Sequence, residues 1–392
     1  TGGSTHANQA IILALGKPGD KVAITRTAHR SVLSALVLTG LEPIWLTPDI
    51  DAATGVPTGI PVSELERVLD QKPIALLLTE PGYLGTISEL PALISKAHEN
   101  AIPVIVDAAW GGHFGFNSHI PAHVMQLGAD ALITSVHKAL PGYSASALLL
   151  AQGKFLNLAR IEQSFETTHT TSPAGAPLAS IDGCRALLQT RGEQLTGALL
   201  KYVQDFKNTV QSHFDTPIFL NPSDFVAGRI DPVKIVLRAN LLGLSGVDVE
   251  KQLQKANIRV EMADRDTIVF LATLADNAAD FEALADALIP IVKSLQGAPR
   301  PTQTSLSWSI VPTVAVSMRD AYFADTEYVS AQSAIGRVSA DLIAPYPPGV
   351  AVVAPGEVLT EAIVSGLSAT QKAGVRIAYA SDPTLATYRV IK

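Results

Sequence analysis

The chain has 392 residues, 47% apolar and 17% charged, with a formal net charge of −7 and one cysteine, Cys184. That length supports two or three domains around large cores, and the composition is that of a folded globular protein. No basic block points to a nucleic-acid partner, one cysteine excludes a disulfide framework or a cysteine-built metal site, and no apolar run spans a membrane. With no signal peptide visible, a cytoplasmic location is expected. The chain opens on Thr1, without Met, inside what reads as a functional turn. A preceding N-terminal segment is therefore expected to be missing.

Thr1–Asn8 is rich in small and hydroxyl residues and leads into an apolar-periodic helix over Gln9–Leu15. Free backbone N–H groups at such a start attract an anion, which makes Ser4 and Thr5 candidates for a phosphate cradle. Lys21–Thr25 reads as a strand, followed by a loop carrying His29 into a helix over Val32–Gly40. Ile44–Thr47 is a further strand, Asp49–Ile60 a turn-rich connection, Ser63–Gln71 a helix and Ile74–Thr79 a strand. The helix Leu90–Asn100 precedes a strand Val104–Val106 that delivers Asp107. After a connecting helix, the strand Ala131–Thr134 delivers Ser135, His137 and Lys138. Short apolar runs alternating with helices predict a parallel α/β sheet covered on both faces. Ligands of such sheets bind beyond the carboxyl ends of the strands, where His29, Asp107 and Lys138 fall.

Helices are expected over Phe155–Phe165 and Ala176–Phe214, with a hydroxyl-rich loop Thr167–Pro173 between them. A smaller α/β unit follows from Pro232 to Leu295, and Gly297–Pro301 reads as a linker. The expected domains are 1–214, 215–298 and 299–392. The last contains Gly336–Asp341 and a proline-rich rigid turn, Ala344–Gly349.

A lysine amine at one strand end and a carboxylate at the neighbouring one have a specific joint use. The amine forms an imine with the aldehyde of pyridoxal 5'-phosphate (PLP), and the carboxylate keeps the pyridine an electron sink. Either residue alone reads as an ordinary loop lysine or helix cap; the pair in this order reads as a PLP site. No metal site is expected.

At these residues the sequence resembles the ornithine/lysine/arginine decarboxylases, in their shorter form. The matching stretches are Gly2–Ala10, His29–Gly40, Val106–Phe116, Ser135–Pro141, Thr170–Pro173, Gly336–Gly349 and Pro355–Glu357, in family order. The resemblance implies the PLP-dependent transferase fold, aspartate-aminotransferase-like, with a mostly parallel seven-stranded-type sheet and smaller C-terminal α/β domains. It implies that Lys138 carries PLP, and that Ser135, His137, Ser4 and Thr5 bind its phosphate. It further implies that His29 stacks on the ring, Asp107 pairs with the ring nitrogen and Ala109 packs beneath it. Short relatives commonly show Asp-Glu-Ala-His where this chain has Asp107-Ala108-Ala109-Trp110, so an acid is missing at Ala108.

The activity so implied is decarboxylation of arginine, lysine or ornithine to a polyamine-type amine by a cytoplasmic homodimer or larger homo-oligomer. The Thr170–Pro173 stretch would reach the partner's cofactor. Lys138, or a nearby His, would return the proton to Cα. Asp341 is the expected carboxylate for the substrate's distal cation, with Glu327 and Glu357 as further candidates. The alternatives are another reaction of the same PLP fold, such as an aminotransferase or lyase, and a catalytically silent regulatory homologue.

Overall fold

The computed structural model describes residues 1–226, 229–346 and 349–392; Pro347 and Pro348 of the expected proline-rich turn lie outside these. The first half of the chain alternates strands and helices. Its elements are α1 (Ser4–Leu15), β1 (Lys21–Thr25), α2 (Arg30–Thr39), β2 (Glu42–Leu46) and a hairpin of β3 (Asp49–Ile50) with β4 (Pro57–Gly59). Then come α3 (Val62–Val68), β5 (Leu76–Thr79), α4 (Leu90–Glu99), β6 (Val104–Asp107), β7 (Ala131–Ser135) and β8 (Ala147–Ala151). The main sheet runs β2-β1-β5-β6-β7-β8, parallel throughout except for the antiparallel pair β7/β8. Among the described residues it has six strands rather than the seven-stranded type, and β8, with Leu150 exposed, forms one of its two edges.

Both faces are buried, and the side-chain alternation of the strands assigns each residue to one of two cores. Val22, Ile24, Leu77, Ile105 and Ile133 pack with Ile11, Ile12 and Leu36 on the α1/α2 side. Ala23, Leu76, Leu78, Val104, Val106 and Leu132 pack with Leu65, Leu93 and Ile94 on the α3/α4 side. The parallel strands therefore end together, which sets Thr25, Thr79, Asp107 and Ser135 along one rim.

The connecting helix expected between β6 and β7 does not form: residues 117–130 run as turns among the described elements. Pro121 and the positive φ of Gly115 (83°) and Gly128 (100°) break the helical path there.

Beyond the sheet lie α5 (Leu158–Thr168) and the 37-residue α6 (Gly175–Gln211). The distal half of α6 packs Leu199, Val203, Phe206 and Val210 against a three-stranded antiparallel sheet. That sheet is β9 (Ile235–Arg238), β10 (Met262–Ala263) and β11 (Thr267–Phe270), backed by α7 (Gly246–Lys255) and α8 (Ala278–Leu295). The last region comprises α9 (Leu306–Ser309), α10 (Met318–Phe323), β12 (Thr326–Ser330), α11 (Ala331–Ala334), β13 (Ala344–Tyr346), α12 (Glu361–Lys372), β14 (Arg376–Ala378) and β15 (Thr387–Ile391). It docks on the main sheet through a buried pair. Arg26, just past β1, donates to Glu357 at 2.5 and 3.0 Å; Glu357 also accepts the Trp45 indole N–H (3.0 Å) and the Ala354 N–H (2.7 Å). Among the described residues no helix is long and apolar enough to cross a membrane.

Candidate functional site

All eight residues expected around the cofactor line one cavity of about 350 Å³ at the carboxyl rim of the sheet: Ser4, Thr5, His29, Asp107, Ala109, Ser135, His137 and Lys138. The parallel register explains the convergence, since β5, β6 and β7 present their last residues, Thr79, Asp107 and Ser135, to the same space, and His29 follows the end of β1. Lys138 lies in the turn after β7, its amine 4.2 Å from the centroid of the Trp110 ring. Burial pulls that amine below the ordinary lysine range, opposed by the charges of Asp107 and Glu261.

Asp107 is buried at the floor. One carboxylate oxygen accepts the Ala109 N–H at 3.2 Å and the other the Asn8 side-chain amide at 2.8 Å. His29 is the N-cap of α2, its Nδ1 accepting the Ser31 N–H at 3.2 Å and facing the Ser31 hydroxyl at 2.8 Å. Burial holds the imidazole below its usual range; Asp107 pushes it up, while Lys138 and Arg30 push it down.

The other end of the cavity is built from α1. Gly3 takes φ +87°, a conformation that costs a side-chain-bearing residue energy, and Ala145 opposite it adopts φ +64°. The hydroxyls of Ser4 and Ser135 meet at 2.7 Å, at the start of α1 where the backbone N–H groups are free of helical partners. His137 donates its Nδ1 hydrogen to the Ser146 carbonyl at 2.7 Å, which leaves Nε2 for the cavity side. Thr79, at the end of β5, lines the cavity with a buried hydroxyl that has no partner among the described residues. An amine, a carboxylate, an imidazole and a hydroxyl-rich helix start are the donor set that PLP requires, and the unpartnered hydroxyl belongs to the same wall.

Several residues of the site carry no signal in the sequence pattern. Tyr83 lines the cavity, and its burial and the nearby Asp107 push its hydroxyl pKa far up. Lys234, just before β9, is buried with its amine also 4.2 Å from the Trp110 centroid, and burial pulls it down to about 8. Gly85, at φ +91°, permits this approach, because a Cβ there would sit 2.8 Å from the Cβ of Lys234. Glu261, half-buried, feels both Lys234 and Lys138, while burial raises its carboxyl above the ordinary range. Ala108, at the position of the missing acid, points into the α3/α4-side core and away from the cavity, so no site contact is lost there.

The carboxylates expected for the substrate lie elsewhere. Asp341 is buried and accepts the Ser381 N–H (2.7 Å) and hydroxyl (3.0 Å), with Arg389 at 3.5 Å. Its oxygens are taken up in holding that C-terminal turn, and it does not line the cavity. Glu357 is committed to Arg26, and Glu327 pairs with Arg337 at 2.7 Å near the surface.

Buried Lys234 makes stability depend on pH with a definite sign. Its folded-state pKa, about 8, lies below the 10.5 of an ordinary lysine, so the unfolded chain binds the proton more strongly between those values. Stability therefore rises with pH through that window, by a contribution of order 3 kcal/mol per such lysine. Lys207, pulled down to about 8 in the same way, contributes the same sign. Urea unfolding of Lys234→Met is expected to show a smaller rise than the native chain over that window, with a more stable fold at neutral pH; an unchanged rise would contradict the burial of a charged amine.

Comparison with known proteins agrees with this geometry. The family described as Orn/Lys/Arg decarboxylase, major domain, matches residues 1–227, and its C-terminal domain matches residues 303–377. An arginine decarboxylase of Bacillus subtilis (strain 168) is 33% identical over 401 residues, covering 100% of this chain and 81% of that protein. The constitutive lysine decarboxylase of Escherichia coli superposes with a TM-score of 0.82 at 20% identity, covering 100% of this chain and 70% of that one. A cysteine desulfurase of Escherichia coli superposes with a TM-score of 0.52 at 18% identity, covering 75% and 78%. The fold is thus the aspartate-aminotransferase-like PLP transferase fold, extended by a C-terminal region.

Proposed function

The chain belongs to the ornithine/lysine/arginine decarboxylase family and is an amino acid decarboxylase; on that premise we propose that it binds PLP through Lys138 and acts on arginine, lysine or ornithine. The observation that carries this reading is the convergence of Lys138, Asp107 and His29 on one cavity whose far end is the hydroxyl-rich start of α1. When bound, PLP supplies a conjugated ring that takes up the electron pair left on Cα as carbon dioxide departs.

The chain's own residues hold and orient. Ser4, Thr5, Ser135 and His137 would bind the phosphate at the N-terminal end of the α1 dipole. Asp107 would hold the ring nitrogen, His29 would lie against the ring, and the small Ala109 side chain would leave room for it. Because burial lowers the Lys138 amine, its protonated form would give up a proton more readily than an exposed lysine's, which suits it to pass one to Cα.

Arginine stands first among the three substrates, since the Bacillus subtilis relative bears that name; a guanidinium suits bidentate pairing with a carboxylate.

The same reading includes a cytoplasmic homodimer or larger homo-oligomer serving polyamine synthesis, with the exposed Thr170–Pro173 stretch reaching the partner's cofactor. It divides the chain at 1–214, 215–298 and 299–392. Borohydride reduction of the PLP-loaded protein tests it. The reduced adduct is expected on the peptide containing Lys138; an adduct on Lys234 or on no peptide would overturn the assignment.

A further inference from the structure

A chain of hydrogen bonds, donated outward from Asn8 in both directions, joins Asp107 to His29 through two buried side chains that are not expected to touch PLP. Asn8 places its side-chain nitrogen 2.8 Å from Asp107 Oδ2 and 3.0 Å from Ser31 Oγ. A carboxylate only accepts, so the amide must turn its NH2 group toward Asp107, and its second N–H then goes to Ser31. Ser31 Oγ, accepting there, has one hydrogen left and gives it to His29 Nδ1 at 2.8 Å. The Ser31 backbone N–H is a second donor to the same nitrogen at 3.2 Å.

We propose that Asn8 and Ser31 are positioning residues that fix the tautomer of His29, with its proton on Nε2, and tie that choice to the Asp107 carboxylate. Two donors on Nδ1 leave no place for a proton on that atom. Protonating it would set the Nδ1 hydrogen against the Ser31 backbone N–H and leave the Ser31 hydroxyl hydrogen without its acceptor. The charged groups facing the ring are Asp107, Lys138 and Arg30, and burial outweighs them in keeping it neutral.

The arrangement is not one that folding alone favours. Asn8 is fully buried and spends both N–H bonds here, leaving its Oδ1 without a partner among the described residues. An unsatisfied buried acceptor is unfavourable. Capping of α2 needs only the Ser31 N–H bond, so the hydroxyl link is additional to it.

The inference rests on the reading above that His29 and Asp107 face the cofactor, yet its test does not need cofactor. In the full chain without PLP, ¹⁵N spectra of labelled histidine, with His29 assigned through His29→Gln, are expected to show Nε2 protonated and Nδ1 bare at neutral pH. In Ser31→Ala the imidazole loses one of two donors to its bare nitrogen, so it should titrate about 0.5–1 pH unit higher. In the isosteric Asn8→Asp, which sets a second acid against Asp107, PLP affinity is expected to fall about tenfold. If Asn8→Asp does not fold, Ser31→Ala decides alone. A proton on Nδ1 in the native chain, or an unshifted titration in Ser31→Ala, would overturn the proposal even where PLP binds. Absence of PLP binding with the expected tautomer would instead overturn the functional reading and leave the relay standing.

Discussion

Replacing Lys138 with alanine is expected to leave a folded, colourless chain that releases carbon dioxide at least about 10³-fold more slowly than the native enzyme. The fold should survive because the amine contributes little to it. Among the described residues Lys138 makes no ion pair, and its recorded contact is the Trp110 ring at 4.2 Å, worth about 0.5–2 kcal/mol. Burial already lowers the amine, so the fold gains nothing from its charge. Activity is lost because no neighbouring amine takes its place: Lys234 sits at the same distance from Trp110 but belongs to the segment before β9. Far-ultraviolet circular dichroism and the visible band of the PLP-loaded protein, read together, check both halves. A yellow Lys138→Ala protein would mean that another amine holds the cofactor.

The second large effect concerns the joint between the sheet and the C-terminal region. Glu357→Ala should destabilise the protein by about 3–5 kcal/mol, because it leaves the buried Arg26 guanidinium without its partner. The Trp45 indole N–H and the Ala354 N–H lose their acceptor in the same change. The double variant Arg26→Met/Glu357→Leu should recover much of that loss, since neither charge then remains buried. A double-mutant cycle in urea separates the pairing energy from the desolvation it offsets. Because Arg26 immediately follows β1, three residues before His29, the single variant should also weaken PLP binding. If Glu357→Ala unfolded at the native urea concentration, the C-terminal region would not be held by this pair.

The main sheet and most of the candidate site's lining are legible in the sequence for a common reason. β6 and β7 are short, wholly apolar runs that end abruptly in polar residues, so their carboxyl ends, and with them Asp107, Ser135 and Lys138, could be located by pattern alone. α1 begins five residues earlier than its apolar periodicity suggests, because Ser4 and Thr5 occupy its first turn rather than the loop before it. What could not be read depends on contacts remote in sequence. Asn8 looks like an ordinary helix residue until the fold sets it against Asp107 and Ser31. Lys234 precedes an unremarkable apolar strand, and only packing across Gly85 directs it to Trp110. Asp341 shows the same limit in reverse: its partners, Ser381 and Arg389, lie 40 and 48 residues on, where no local pattern announces them.

The most direct test of the account is carbon dioxide release from arginine, lysine and ornithine, each offered separately to the PLP-loaded chain and to Lys138→Ala. Release from at least one of them, arginine first, and its loss in the variant is the expected result. A yellow native protein that releases carbon dioxide from none of the three would contradict the assignment of substrate and reaction together.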